Sequence, residues 1–175
     1  MKNSKYLFLF LLMACSSSKV VTDYDDNTNF APYKTYAFFD DIGVGLNQFD
    51  INRAADAIFL AMETLGFKEV ENPDFYINFK VKLSSPKITN TIAIGLGSGG
   101  RNGGLNVAGG IPIGGKKVDE ALTLEFVDAK TNELFWQGIL ISTIKEKRKP
   151  AERELYFKKV IHKILEAYPL KKNNE

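Results

Sequence analysis

Cysteine occurs once, at Cys15, and histidine once, at His162. That scarcity excludes much chemistry. One thiol cannot close an internal disulfide, and one imidazole cannot build most zinc cages or most nucleophile–base pairs. Long apolar runs are missing too. Residues 6–13 form an unbroken apolar run of eight, whereas a membrane-spanning helix needs about 20, and no later run is long enough. Nor is there an excess of one charge. The formal net charge of +2 comes from Lys2 and Lys5, ahead of that run, and the remainder is balanced. No global field favours nucleic acid, and no nucleic-acid partner is expected.

What is present begins at the N-terminus. Lys2 and Lys5, the apolar run and the small residue Ala14 have the layout of a secretory signal. Leu12-Met13-Ala14-Cys15 resembles a bacterial lipobox, in which the signal is cut before the cysteine and the thiol takes up lipid. The expectation is a signal peptide at 1–14, a lipidated Cys15, and a polar tether over 15–19. One acyl chain binds a membrane only marginally, at about 0.8 kcal/mol per buried CH₂. The lipobox resemblance implies a diacylglyceryl group plus an N-acyl chain, and hence stable anchoring. Ser16, rather than Asp, implies sorting to the outer membrane by the same resemblance.

The rest suits one domain over 20–170, with a polar tail at 171–175. Residues 20–24 read as a strand. Asp23, Asp25, Asn27 and Asn29 alternate as in a calcium loop, but Thr28 and Lys34 stand where such a loop needs Gly and Glu, so a polar turn is expected. Residues 34–39 read as a strand. Asp50 is the expected N-cap of a first helix, with Ile51, Ala54, Ala55, Ile58, Phe59, Met62 and Leu65 on its buried stripe and Gly66 at its C-terminal cap. Residues 75–83 alternate as a half-buried strand. Residues 122–126 and 134–144, joined by a polar turn, read as an antiparallel hairpin. The second of these is apolar on both faces around Trp136 and is expected as a central strand of the sheet. Residues 145–149 read as a solvated charged loop. Pro150 opens a final helix that buries Phe157, Val160, Ile161, Ile164, Leu165 and Tyr168 and ends at Pro169.

A glycine-rich insert occupies 95–115. Residues 95–100 match G-x-G-x-x-G, but Arg101-Asn102-Gly103-Gly104 is a poor start for the helix that a dinucleotide site requires. No Gly-Lys-Ser/Thr follows either. Two short strands, around 92–94 and 105–107, joined by glycine turns are expected, and no cofactor. His162 shares a helix face with Lys158, Lys159, Lys163 and Glu166, which reads as exposed. No catalytic residue and no metal site is assigned. An acid pair remains open, because the chain has 21 acids and a sequence does not give their distances.

Residues 20–25, Phe30 and Tyr33-Lys34-Thr35-Tyr36 resemble the opening of the lipoprotein family called domain of unknown function 4136. Leu65-Gly66-Phe67 and Pro73-Asp74-Phe75 are similar to its middle. Leu122-Thr123-Leu124 through Asp128, Trp136 with Gly138, and Tyr168-Pro169 resemble its end. The resemblance implies a small α+β domain on a lipid anchor in a Gram-negative envelope. It implies no activity, and no functional residue beyond Cys15.

The expected fold is an α+β two-layer sandwich: a mostly antiparallel sheet with two helices packed on one face. The expected function is a non-enzymatic envelope lipoprotein that binds a protein partner or supports assembly. Its lipid would sit in the outer membrane, with the domain in the periplasm or on the surface. One alternative is a carrier for a small apolar or lipid ligand, whose groove would be lined by Tyr76, Trp136 and Tyr156. The other is a carboxylate-based hydrolase, whose signature would be a buried acid pair in a cleft.

Overall fold

The computed structural model describes residues 19–84, 91–92, 111–112 and 117–170. Cys15, most of the glycine-rich insert and the tail lie outside them. The elements are β1 (Lys19–Asp23), β2 (Thr35–Phe38), α1 (Gln48–Thr64), β3 (Lys68–Glu69), β4 (Phe75–Leu83), β5 (Thr91–Ile92), β6 (Ile111–Pro112), β7 (Lys117–Asp128), β8 (Leu134–Lys145) and α2 (Pro150–Leu165). Six strands form one mixed sheet in the order β1-β8-β7-β4-β2-β3, and both helices supply core residues against it. β1, β8, β7 and β4 pair antiparallel, while β2 joins β4 in parallel and carries the two-residue β3, also in parallel. The parallel pairing and β3 were not expected. β5 and β6 pair antiparallel as a separate ribbon. The expected strand around 105–107 lies outside the described residues.

Period-two patterning puts Phe75, Ile77, Phe79 and Val81 of β4 and Leu122, Leu124 and Phe126 of β7 on the helix side, all buried. The β7–β8 register slips at Phe126: Phe126 pairs with Trp136 and Val127 with Leu134. Phe135 is the bulged residue. The bulge turns two successive aromatics inward, Phe135 and the fully buried Trp136. It explains why this stretch does not alternate in the sequence. Elsewhere β8 does alternate, and Ile141 on the far face is 54% exposed. β8 is thus the second strand from the sheet's end rather than a central one, and one of its faces is bare, because the bulge and not burial on both faces removes its alternation.

α1 differs from expectation at its start. The N-cap is Asn47, whose side chain accepts the Asp50 N–H, and Asp50 is the third helical residue. Ala54, Ile58 and Met62 are fully buried as expected, but Phe59 is exposed. Gly66 takes the left-handed conformation of a C-terminal cap, with φ +87. α2 begins at Pro150, and Glu152 accepts the Lys149 N–H at 2.9 Å. The two helices lie side by side in the same direction. Asp50 meets Arg153 near their starts, and Phe67 meets Tyr168, ring centroids 5.8 Å apart, beyond their ends.

The Trp136 indole sits against Phe126 and Tyr168, at centroid distances of 4.8 and 5.2 Å. Gly138 leaves room for it: a β-carbon there would lie 2.7 Å from the ring and 2.5 Å from Ile164. Trp136→Ala is therefore expected to cost about 3–5 kcal/mol, and Gly138→Ala about 1–3 kcal/mol through overpacking. Urea denaturation checks both; a Gly138→Ala protein as stable as the parent would mean that strand and helix do not pack this closely.

Candidate functional site

The two ends of the β4–β7 pair are chemically different. Phe75 is opposite Asp128 at one end, and Leu83 is opposite Glu120 at the other.

At the first end, loops are tied by carboxylates. Asp74 accepts the Lys34 and Thr35 N–H groups at 2.9 Å and the Thr35 hydroxyl at 2.8 Å. The Lys34 N–H leads in holding the Asp74 carboxyl below its usual range; burial opposes it, and the Thr35 donors add to it. Asp128 accepts the Lys130 and Thr131 N–H groups, both at 2.8 Å, and the Tyr33 hydroxyl at 2.8 Å. The Thr131 N–H leads in holding the Asp128 carboxyl low. Burial, then Asp128, pushes the Tyr33 phenol up to about 12. The Tyr33 ring stacks on Phe135 at 4.0 Å. This end is a hydrogen-bonded knot.

At the second end lies a cleft of about 350 Å³ with two buried carboxylates in its wall, Asp50 and Glu120. Gly45, with φ +90, lets the preceding loop press on β4: a β-carbon there would meet the Val81 carbonyl oxygen at 2.0 Å. Asp50, in the first turn of α1, is fully buried and surrounded by donors. Asn47 Nδ2 donates at 2.8 Å, Arg53 Nη1 at 2.8 Å and Arg153 Nε at 2.7 Å, while Arg153 Nη2 bridges the second carboxylate oxygen. The start of a helix also favours a negative charge. Glu120, on the core side of β7 and 2% exposed, accepts from Arg148 Nη2 at 3.2 Å. The Arg148 guanidinium lies over the Tyr156 ring, 4.4 Å from its centroid, and the Tyr156 hydroxyl is 2.7 Å from Ser142 Oγ. Burial first, then the Glu120 charge, raises the Tyr156 phenol. Glu120 Oε1 and Arg148 Nε and Nη1 are buried without a hydrogen-bond partner among the described residues.

The residues singled out from the sequence do not meet. Tyr76 is on the sheet face away from the helices, beside Phe39 at 5.0 Å. Trp136 is sealed in the core on the helix side, and Tyr156 is half-buried on α2. They line no common groove, because β-strand alternation puts Tyr76 behind the sheet. His162 is exposed, with Nδ1 3.3 Å from Glu166 Oε1. The loop 145–149 is not uniformly solvated, since Arg148 is drawn in by Glu120. Two sequence signals point to the cleft. Glu120 interrupts the core-facing row Val118, Leu122, Leu124, Phe126, and Asp50 stands three residues before Arg53. No cluster of three or more His, Cys, Asp or Glu side chains able to hold a metal occurs among the described residues.

The family model described as Domain of unknown function (DUF4136) matches residues 20–170. The chain belongs to that family. It matches none of the curated proteins. Among solved structures it is similar to a DUF4136 family protein from Bacteroides thetaiotaomicron, at TM-score 0.53 and 15% identity over 87% of this chain and 96% of that one. It is similar to PelC from Paraburkholderia phytofirmans, crystallised as a dodecamer, at TM-score 0.51 and 12% identity over 90% and 99%. It also resembles part of a PDZ domain protein from Parabacteroides distasonis, at TM-score 0.54 and 12% identity, covering 87% of this chain but only 36% of that protein. At such identities the likeness is one of fold. The knot places this DUF4136 chain's own Tyr33-Lys34-Thr35 beside Asp74 and Asp128, and the core places its Trp136 beside Gly138.

Removing one partner of a buried ion pair costs about 3–5 kcal/mol. Arg148→Met is expected to lose that much stability. Glu120→Gln/Arg148→Met should lose less than Arg148→Met alone, because no lone charge stays buried. Chemical denaturation of the parent, Arg148→Met and the double variant checks this; a double variant no more stable than Arg148→Met alone would refute the pairing.

Proposed function

We propose that this chain is a non-enzymatic, lipid-anchored lipoprotein of the cell envelope, which binds a protein partner through its helix layer. The supporting observation is where its spare chemistry lies. In the cleft, each buried carboxylate faces a guanidinium, Asp50 that of Arg153 and Glu120 that of Arg148, so both are engaged in structural pairs. The outer helix surface, by contrast, presents large apolar side chains to solvent: Phe49 at 75% exposure, Leu155 at 69% and Leu60 at 50%. Phe59 and Leu60 lie in a shallow depression of about 410 Å³ between the helices, rimmed by Arg53, Asp56, Glu154 and Lys158. An apolar centre with a rim of mixed charge is the composition of a protein-binding surface. PelC, which shares the fold, forms a dodecamer, so the fold accommodates assembly with other chains. The anchoring half of the proposal rests on Leu12-Met13-Ala14-Cys15. No helix among the described residues is long and apolar enough to cross a membrane.

The juxtaposition of Asp50 and Glu120 in one cleft favours a second reading, a carboxylate-based hydrolase. One set of variants separates the two. Cys15→Ser is expected to lose radiolabelled palmitate and leave the membrane fraction. Leu60→Asp should abolish in-cell crosslinking to a protein partner while keeping the parent's thermal midpoint. Glu120→Gln, judged at equal folded protein, should keep both the crosslink and the rescue of a deletion strain. Unchanged palmitate labelling of Cys15→Ser would sink the anchor. Loss of rescue by folded Glu120→Gln with the crosslink intact would favour the hydrolase.

A further inference from the structure

β1 is the end strand of the sheet. One of its edges pairs with β8, and no described segment pairs with the other. An open edge of this kind presents a row of backbone donors and acceptors to any strand that fits. The β1 sequence is Lys19-Val20-Val21-Thr22-Asp23, with β-branched residues between opposite charges and neither Pro nor Gly. Val20 pairs with Leu140, a core residue, so Val20 and Thr22 take the helix side. Lys19, Val21 and Asp23 therefore lie together on the bare face, opposite Ile141, Ile139 and Gln137. Val21 is 47% exposed and Ile141 54%.

We propose that the open edge of β1 receives β1 of a second copy of this chain, antiparallel about a two-fold axis through Val21. In that register Lys19 of each copy stands opposite Asp23 of the other, Val20 opposite Thr22, and Val21 opposite itself. Both end pairs join opposite charges, which stabilise a strand pair, and the middle pairs are β-branched. In-register parallel pairing would set Lys19 against Lys19 and Asp23 against Asp23. A one-residue slip would flip one copy over, setting its bare face beside the helix side of the other and separating the opposite charges. The self-complementary pattern thus selects one arrangement, an isologous dimer with a continuous sheet across both copies. On the bare face it joins Val21 and the flanking Ile139 and Ile141 of each copy into one apolar strip. This interface is separate from the helix surface proposed for a partner.

The test is sedimentation of the full chain, purified without denaturation, for the parent, Lys19→Asp, Asp23→Lys and the double variant. Each single reversal creates two like-charge pairs per dimer, and should weaken dimerisation about tenfold or more. The double variant restores both opposite-charge pairs and should recover the parent's affinity. A second measurement does not depend on these charges. Val21→Cys should crosslink to itself on oxidation, because directly opposed residues of antiparallel strands lie about 4.5–5.5 Å apart, within disulfide reach. Val44→Cys, exposed but away from the edge, and the parent with Cys15 alone should not crosslink. A parent monomeric at every concentration overturns the proposal. So do single reversals that leave the affinity unchanged, a folded double variant that stays monomeric, and failure of Val21→Cys to crosslink.

Discussion

A carboxylate with no exposed surface holds the helix layer in register. Asp50 sits where α1 begins, and its anion would be costly to bury alone. The cost is met by three side chains of different origin: Asn47 from the cap, Arg53 from the next turn of α1, and Arg153 from the start of α2. Arg153 is the contact that crosses the fold. It fixes where α2 starts relative to α1, so that Phe157, Ile161 and Ile164 enter the core beside Ile58 and Met62. The alternative is an unpaired charge under the sheet. Apolar packing alone tolerates sliding; a forked guanidinium on a buried carboxylate does not.

The same logic divides the molecule into two ends. At the Asp128 end, carboxylates collect backbone N–H groups and a phenol, joining the loops before β2, before β4 and after β7. At the Glu120 end, carboxylates collect guanidiniums from α1, α2 and the loop between β8 and α2. Asp50 and Glu120 are buried, Asp74 and Asp128 only partly so, and both sets hold structure. Large apolar side chains are also exposed: Leu60 and Leu155 on the helix surface, and Val21 and Ile141 on the bare sheet face. These exposed apolar side chains are the ones that the proposed partner contacts would cover.

Much of this fold was legible in the sequence, because its elements obey local rules. The 3.6-residue stripe of Ala54, Ile58 and Met62, the alternation from Phe75 to Val81, the left-handed Gly66 and the opening Pro150 each declare an element. The parallel pairing of β2 with β4 was not legible, since it depends on how α1 crosses the sheet. The bulge at Phe135 hid the period of β8. The site was less legible. Asp50 had the composition of a cap but lies three residues into the helix, since Asn47 does the capping. Arg148 sat in a charged run that reads as solvated, and only Glu120 on the opposite strand draws it in. That Tyr76, Trp136 and Tyr156 share no groove was not legible either, because aromatic content says nothing about which side of a sheet a ring occupies.

The central claim is that the Asp50–Arg153 contact is a structural clamp between the helices. A double-mutant cycle tests it most directly, with Asp50→Asn, Arg153→Met and their combination compared with the parent by urea denaturation. Residues in direct contact within one ion-pair network couple by about 0.5–3 kcal/mol. The account predicts a coupling in the upper part of that range, with each single variant destabilised and the double variant less so than the sum. Additivity within about 0.5 kcal/mol would contradict it and leave the helix register to apolar packing alone.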